Sequence, residues 1–193
     1  MPSDKPGNLP REASPPRSGG GAGQMRGGPG SPDPFERLFL AEYGRVVAIA
    51  QKVVADRAEA EDVAQEVFWD LHRRHTAAAP FARPWLYRAA AHTALNRIRS
   101  RQRRQRRERA TFELHAGASD PEEIVQAQED RRQVRMALRR LPLKSASVLV
   151  LRYSGLSYIE VADALGVGPN QVGTLLRRAE HALRKEMHHA PSV

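Results

Sequence analysis

Residues 157–183 read SYIEVADALGVGPNQVGTLLRRAEHAL. Ser157 stands three residues before Glu160, the spacing of a capping box, in which the hydroxyl accepts from the Glu160 amide while the carboxylate reaches back to the Ser157 amide. This fixes the start of a short helix whose Val161, Ala162 and Leu165 face inward. Gly166 suits a corner costly to other residues, Val167 plugs the turn, and Pro169 opens a second helix. There Val172, Leu176, Ala179 and Leu183 share the inner side, which leaves Asn170, Gln171, Thr174, Arg177, Arg178 and His181 on the outer one. Small Ala162 lets the two helices cross closely. The pattern predicts a helix-turn-helix whose outer face suits a DNA groove, since Asn and Gln can pair with adenine, and Arg with guanine or phosphate. Such a module is shared by many DNA-binding proteins and does not by itself say what this one does.

Working outward, Val134, Leu138 and Leu141 fit one helix ended by Pro142, and Ser145 to Tyr153 fits another ended near Gly155. Towards the amino terminus, Phe35, Leu38, Phe39, Tyr43, Val46, Ile49, Ala50 and Val53 form the stripe of a long first helix. Val63, Ala64, Val67, Phe68 and Leu71 form the buried face of a second, with Asp62, Glu66 and Asp70 at four-residue spacing on another face. A third helix is expected to start at Pro84, with Tyr87, Ala90, Ala91, Ala94 and Ile98 inside. No strand-like alternation of useful length occurs, so the expected fold is all-α: two small helical domains joined by a flexible linker, after a disordered tail. The expected boundaries are a Pro/Gly-rich tail over 1–34, a first bundle over 35–103, a linker over 104–130, a second bundle over 131–187 and a short tail over 188–193. The first tail holds eight Pro and eight Gly and little that could be buried.

The chain has 193 residues and a formal net charge of +9, with no cysteine, which excludes disulfide scaffolds, thiolate zinc sites and Cys nucleophiles. The charge is uneven. Residues 35–96 balance eight basic against eight acidic side chains, whereas residues 97–109 hold eight Arg and one Glu. A run of that density points to a polyanion, because neutralising phosphates releases counterions. No run approaches the ~18 apolar residues of a membrane span and no apolar signal core opens the chain, so neither membrane insertion nor secretion is expected and the expected location is cytoplasmic. The pairs His72/His75 and His188/His189 have no carboxylates in a motif arrangement. No metal site, cofactor or catalytic group is expected.

Three segments carry a resemblance to a known family. Ala60-Glu61-Asp62-Val63-Ala64-Gln65-Glu66-Val67-Phe68 resembles the A-E-D-x-x-Q-E-x-F signature of region 2 in bacterial extracytoplasmic-function (ECF) sigma factors. Pro84-Trp85-Leu86-Tyr87-Arg88 through Arg99 is similar to that family's W-L-Y-R-I-A-x-N-x-A helix. Leu141-Pro142 through Arg184 resembles its region 4. The resemblance implies a non-enzymatic protein that binds core RNA polymerase, directs it to promoter DNA and helps to separate the strands. It implies that Asp62, Gln65, Glu66 and Trp69 face the polymerase. The loop from His75 to Arg83 and the helix after it, with His92, Asn96, Arg97, Arg99, Arg101, Arg103 and Arg104, would meet the minus-ten element. Pro169, Asn170, Gln171, Thr174, Arg177 and Arg178 would meet the minus-thirty-five element. An anti-sigma factor is an expected further partner by analogy.

Two departures from the family pattern bear on promoter preference. His92 stands where relatives usually have Asn, and Val172-Gly173-Thr174-Leu175-Leu176 replaces a common V-K-S-R-L, so phosphate grip is expected to be weaker or to shift to Arg177 and Arg178. Trp85 and Tyr87 are readable as core or as base-stacking residues. Two promoter elements a couple of helical turns apart lie roughly 70 Å from each other, whereas a compact body of about 160 residues has a radius of gyration near 15 Å. Two tethered readers are therefore expected.

Overall fold

The computed structural model describes residues 33–111 and 122–188. Apart from Asp33, Pro34 and His188, the two expected tails lie outside the described residues, as does the middle of the expected linker. Seven helices and no strand occur among the described residues: α1 (Pro34–Gln51), α2 (Arg57–Arg74), α3 (Ala82–Thr111), α4 (Glu122–Arg140), α5 (Leu143–Tyr153), α6 (Tyr158–Leu165) and α7 (Pro169–His188).

Local chemistry sets several of these ends. Asp33 accepts from the Phe35 amide at 3.2 Å with Pro34 just inside α1, and Asp56 accepts from the amides of Ala58 and Glu59 to start α2. Helix α3 begins two residues earlier than Pro84, at Ala82, and its Trp85 amide donates to the Phe81 carbonyl at 2.9 Å. Pro84 fits there because amides of the first turn have no acceptor inside the helix. At its other end α3 runs through the arginines to Thr111, beyond the expected linker start at residue 104. Arginine is a good helix former, and no Gly or Pro intervenes before Gly117.

Helices α1, α2 and α3 pack on one another around Val46, Ile49, Val63, Phe68, Leu71, Leu86 and Leu95, each at most 2 % exposed. Helices α5, α6 and α7 form a second packed set around Leu151, Leu156, Val161 and Val172, with α4 against α7. Helix α3 also packs against α5 and α6, so one continuous apolar cluster runs through both sets, and the described residues form one compact unit. Tyr87 is 1 % exposed and belongs to this core, while Trp85 packs at its margin. No helix of the described residues is long and apolar enough to cross a membrane, and no group of three His, Asp or Glu among them could hold a metal.

Candidate nucleic-acid interface

The α2 ridge follows from helical periodicity: with Val63, Ala64, Val67 and Phe68 buried, Asp62, Gln65, Glu66 and Trp69 point outward, Trp69 with 61 % of its surface exposed. Two carboxylates, an amide and an indole thus share one face. An exposed indole offers a large apolar surface with a polar N–H to a partner. Glu66 is not independent of the neighbouring helix, because its carboxylate accepts from Arg97 of α3 at 2.7 Å. A residue assigned to polymerase and one assigned to DNA are thereby tied together.

On α3 the arginines differ in their surroundings. Arg101 pairs with Glu59 at 3.1 Å, and Arg103 donates to the Ser100 hydroxyl at 2.9 Å. Asn96, Arg103 and Arg104 are exposed. Arg99 turns away from solvent and donates to the Leu141 carbonyl, at the corner between α4 and α5, at 2.6 Å. In this arrangement Arg99 holds one helix set to the other. His92 is half-buried, and burial first, with the charges of Arg88 and Arg99 second, pushes its pKa below the ordinary value. Both effects favour the neutral imidazole over the charged one. Before α3, Phe81 is 51 % exposed, and His75 lies edge-on to both Phe81 (5.5 Å) and Trp85 (4.9 Å). Sequence reading passed over Phe81, whose signal was an apolar residue in a loop bounded by Pro80 and Pro84.

The helix-turn-helix has the expected caps. Ser157 Oγ accepts from the Glu160 amide at 3.3 Å, the Glu160 carboxylate accepts from the Ser157 amide at 2.8 Å, and Gly166 adopts φ 64°. The Ser157 amide first, then the Ser157 hydroxyl donating to the same carboxylate at 2.9 Å and the charge of Arg45, hold the Glu160 carboxyl below the usual carboxylate range. On α7, Pro169, Asn170, Gln171, Thr174, Arg177, Arg178 and His181 are all exposed, opposite buried Val172, Leu176 and Ala179. Gln171 has a local task as well: its side-chain oxygen accepts from the Gly168 amide at 3.3 Å, closing the start of α7. The Gly168-x-x-Gln171 spacing, that of a helix cap and its third residue, carried that signal.

A polar chain that sequence reading did not find links the first helix set to the second. Buried Glu42 accepts from Arg83 at 2.7 Å and from the Tyr87 hydroxyl at 2.6 Å. Arg45 lies over the Tyr87 ring and pairs with Glu160 of α6 at 3.0 Å. Burial, then the Glu42 hydrogen bond and charge, push the Tyr87 hydroxyl up to about 12. An open groove of about 390 Å³ lies beside this chain, lined by Pro80, Arg83, Pro84 and Tyr87 on one side and Glu160 and Asp163 on the other. The acidic side of α6 thus faces the loop that precedes α3.

The family described as Sigma-70 region 2 matches residues 38–104, and that described as Sigma-70, region 4 matches residues 131–183. The ECF RNA polymerase sigma factor SigW of Bacillus subtilis (strain 168) is 27% identical over 177 residues, covering 82% of this chain and 91% of the relative. The ECF RNA polymerase sigma factor SigX of the same organism is 30% identical over 161 residues, covering 79% of this chain and 83% of the relative. Among solved structures, CnrH in complex with the cytosolic domain of CnrY aligns with a TM-score of 0.49 and 22% identity, over 82% of this chain and 89% of that one. With both regions matched in order on a helical scaffold that exposes the expected faces, the chain belongs to the extracytoplasmic-function family of RNA polymerase sigma factors.

Proposed function

We propose that three surfaces of this chain divide the work of a sigma factor. The protein directs promoter-specific initiation by core RNA polymerase and is not an enzyme. In our assignment the α2 ridge of Asp62, Gln65, Glu66 and Trp69 docks on core. The loop before α3, together with His92, Asn96, Arg97, Arg99, Arg101, Arg103 and Arg104 on α3 itself, engages the minus-ten element. The outer face of α7, with Pro169, Asn170, Gln171, Thr174, Arg177 and Arg178, engages the minus-thirty-five element. The domain division is 35–103 for the first reader and 131–187 for the second, with 104–130 between them. A cytoplasmic location and an anti-sigma partner complete the reading.

The observation that carries it is the coincidence on α2 of an exposed indole with two carboxylates and an amide, on a helix whose other side is buried. An acidic, aromatic ridge fits a basic partner surface, with the indole as anchor. Exposed Phe81 supports a stacking role for the loop before α3, since a base on an aromatic ring contributes ~1–3 kcal/mol.

Run-off transcription with purified core polymerase and genomic promoter fragments tests the assignment. Promoter-specific starts that depend on the chain, and are lost when Asp62→Ala and Gln65→Ala are combined, support it. Tight duplex binding with no specific initiation would instead favour a free-standing helix-turn-helix regulator.

A further inference from the structure

We propose that the seam where α4 packs against α3 is a binding site for a small multivalent phosphate anion, the polyphosphate chain being the chemistry it fits. Seven arginines belong to this region: Arg99, Arg101 and Arg103 on α3, and Arg131, Arg132, Arg135 and Arg139 on α4. Carboxylates answer only part of that charge, since Glu59 takes Arg101 at 3.1 Å and Glu129 takes Arg132 at 2.7 Å. Among the described residues no carboxylate forms an ion pair with Arg99, Arg103, Arg135 or Arg139.

Two of these side chains also carry a buried donor with nothing to donate to. Arg139 reaches only the Met136 sulfur, at 3.5 Å, and its Nε is buried without an acceptor. Arg99 donates from one terminal nitrogen to the Leu141 carbonyl, while its Nε is likewise buried and unpartnered. Arg101 of α3 acts across the seam on Arg139 of α4, whose pKa is lowered by burial, then by Arg135, Arg101 and Arg132, while burial, then Arg103 on the same helix, lowers that of Arg99. A half-buried guanidinium with no counter-ion is unfavourable, and the fork of a guanidinium matches phosphate oxygens two at a time. A short phosphate chain offers several oxygens to neighbouring guanidinium forks at once, from both helices. Once bound, it would join α3 to α4 and favour the compact arrangement of the two helix sets.

The test is calorimetric titration of the full-length chain, without polymerase, using magnesium-free sodium tripolyphosphate at about 0.15 M salt, where exposed charges are largely screened. We expect one site per chain and affinity at least tenfold above that for orthophosphate. Combining Arg135→Gln with Arg139→Gln should weaken binding tenfold or more. Combining Arg73→Gln with Arg74→Gln, which removes the same charge from the end of α2, should leave it unchanged. If the glutamine variant melts early, Arg135→Lys with Arg139→Lys keeps the charge while losing the fork, and is expected to bind several-fold more weakly. Adenosine triphosphate in a parallel arm separates the sources: affinity equal to that of tripolyphosphate assigns recognition to the phosphate chain alone, and higher affinity assigns a nucleotide source. Absence of saturable tripolyphosphate binding, equal loss in the two glutamine variants, or binding confined to duplex DNA overturns the proposal. Arg99, Arg101 and Arg103 are shared with the proposed minus-ten reader, but none of these readouts depends on transcription, so the assignment of the α2 and α7 faces stands or fails separately.

Discussion

Trp69 and Tyr87 show how two large aromatic side chains can serve opposite ends. Trp69 is 61 % exposed beside three polar side chains, so Trp69→Ala is expected to leave the melting temperature within about 2 °C, since exposed substitutions rarely exceed ±0.5 kcal/mol. Its affinity for core polymerase should fall at least tenfold, and unchanged binding in a competition assay would remove the residue from that interface. Tyr87 is buried and donates to Glu42. Its folded pKa, about 12, lies above the ordinary 10, so the stabilisation is complete below pH 10 and is lost as the pH rises through 12. Tyr87→Phe should flatten the fall in stability over that window, as read by urea midpoints at successive pH values. It would also leave Glu42 with the Arg83 pair alone. Phe81 belongs to the same scale: Phe81→Ala should slow strand opening, seen as weaker permanganate reactivity of promoter thymines, without changing closed-complex affinity.

Among the elements, the capped helix-turn-helix was the most legible in advance. Ser157, Glu160 and Gly166 act through bonds to neighbours three or four residues away, and Pro169 through its own ring at the helix start, so sequence alone displays them. The inner and outer faces of α2 and α7 were legible for the same reason, because a helix converts spacing into direction. The extent of α3 was not, since the arginine run looks like solvated linker until the helix propensity of Arg is set against the absence of a breaker. Contacts between elements were hidden altogether: Arg45 with Glu160, and Arg99 with the Leu141 carbonyl, join residues far apart in the chain. Gly173 offers a test of element energetics. A Cβ there would meet Tyr158 Cε2 at 3.7 Å, an ordinary contact, so Gly173→Ala should stabilise the protein by about 0.5–1 kcal/mol through helix propensity. A lower melting temperature would mean that α7 needs the glycine for its approach to α6.

For the whole molecule, the compact unit and the promoter pose incompatible lengths. A body of this size has a radius of gyration of about 15 Å, and the two elements lie roughly 70 Å apart, so the two helix sets have to separate for both readers to engage at once. Apolar packing of α3 on α5 and α6 has to be given up in that step, together with the Arg99 tie and the Arg45–Glu160 pair. The ion pair is a minor part of the cost, because both partners are about a third exposed and such pairs contribute ~0.2–1 kcal/mol. Arg45→Ala should therefore change the closed-to-open ratio less than about fivefold, since 1 kcal/mol corresponds to that factor. The chain has no cysteine, so Arg73→Cys on α2 and Arg184→Cys on α7 place dyes uniquely on exposed positions of the two sets. Energy transfer between them should be high in the free protein and fall sharply when core polymerase and promoter are added. Polymerase alone producing the full drop would assign the opening to docking, and a further drop with promoter would assign part of it to the DNA. Efficiency that stays at the free-protein value in an initiating complex would mean that the closed arrangement is itself the working form, and that one of the two proposed readers is wrong.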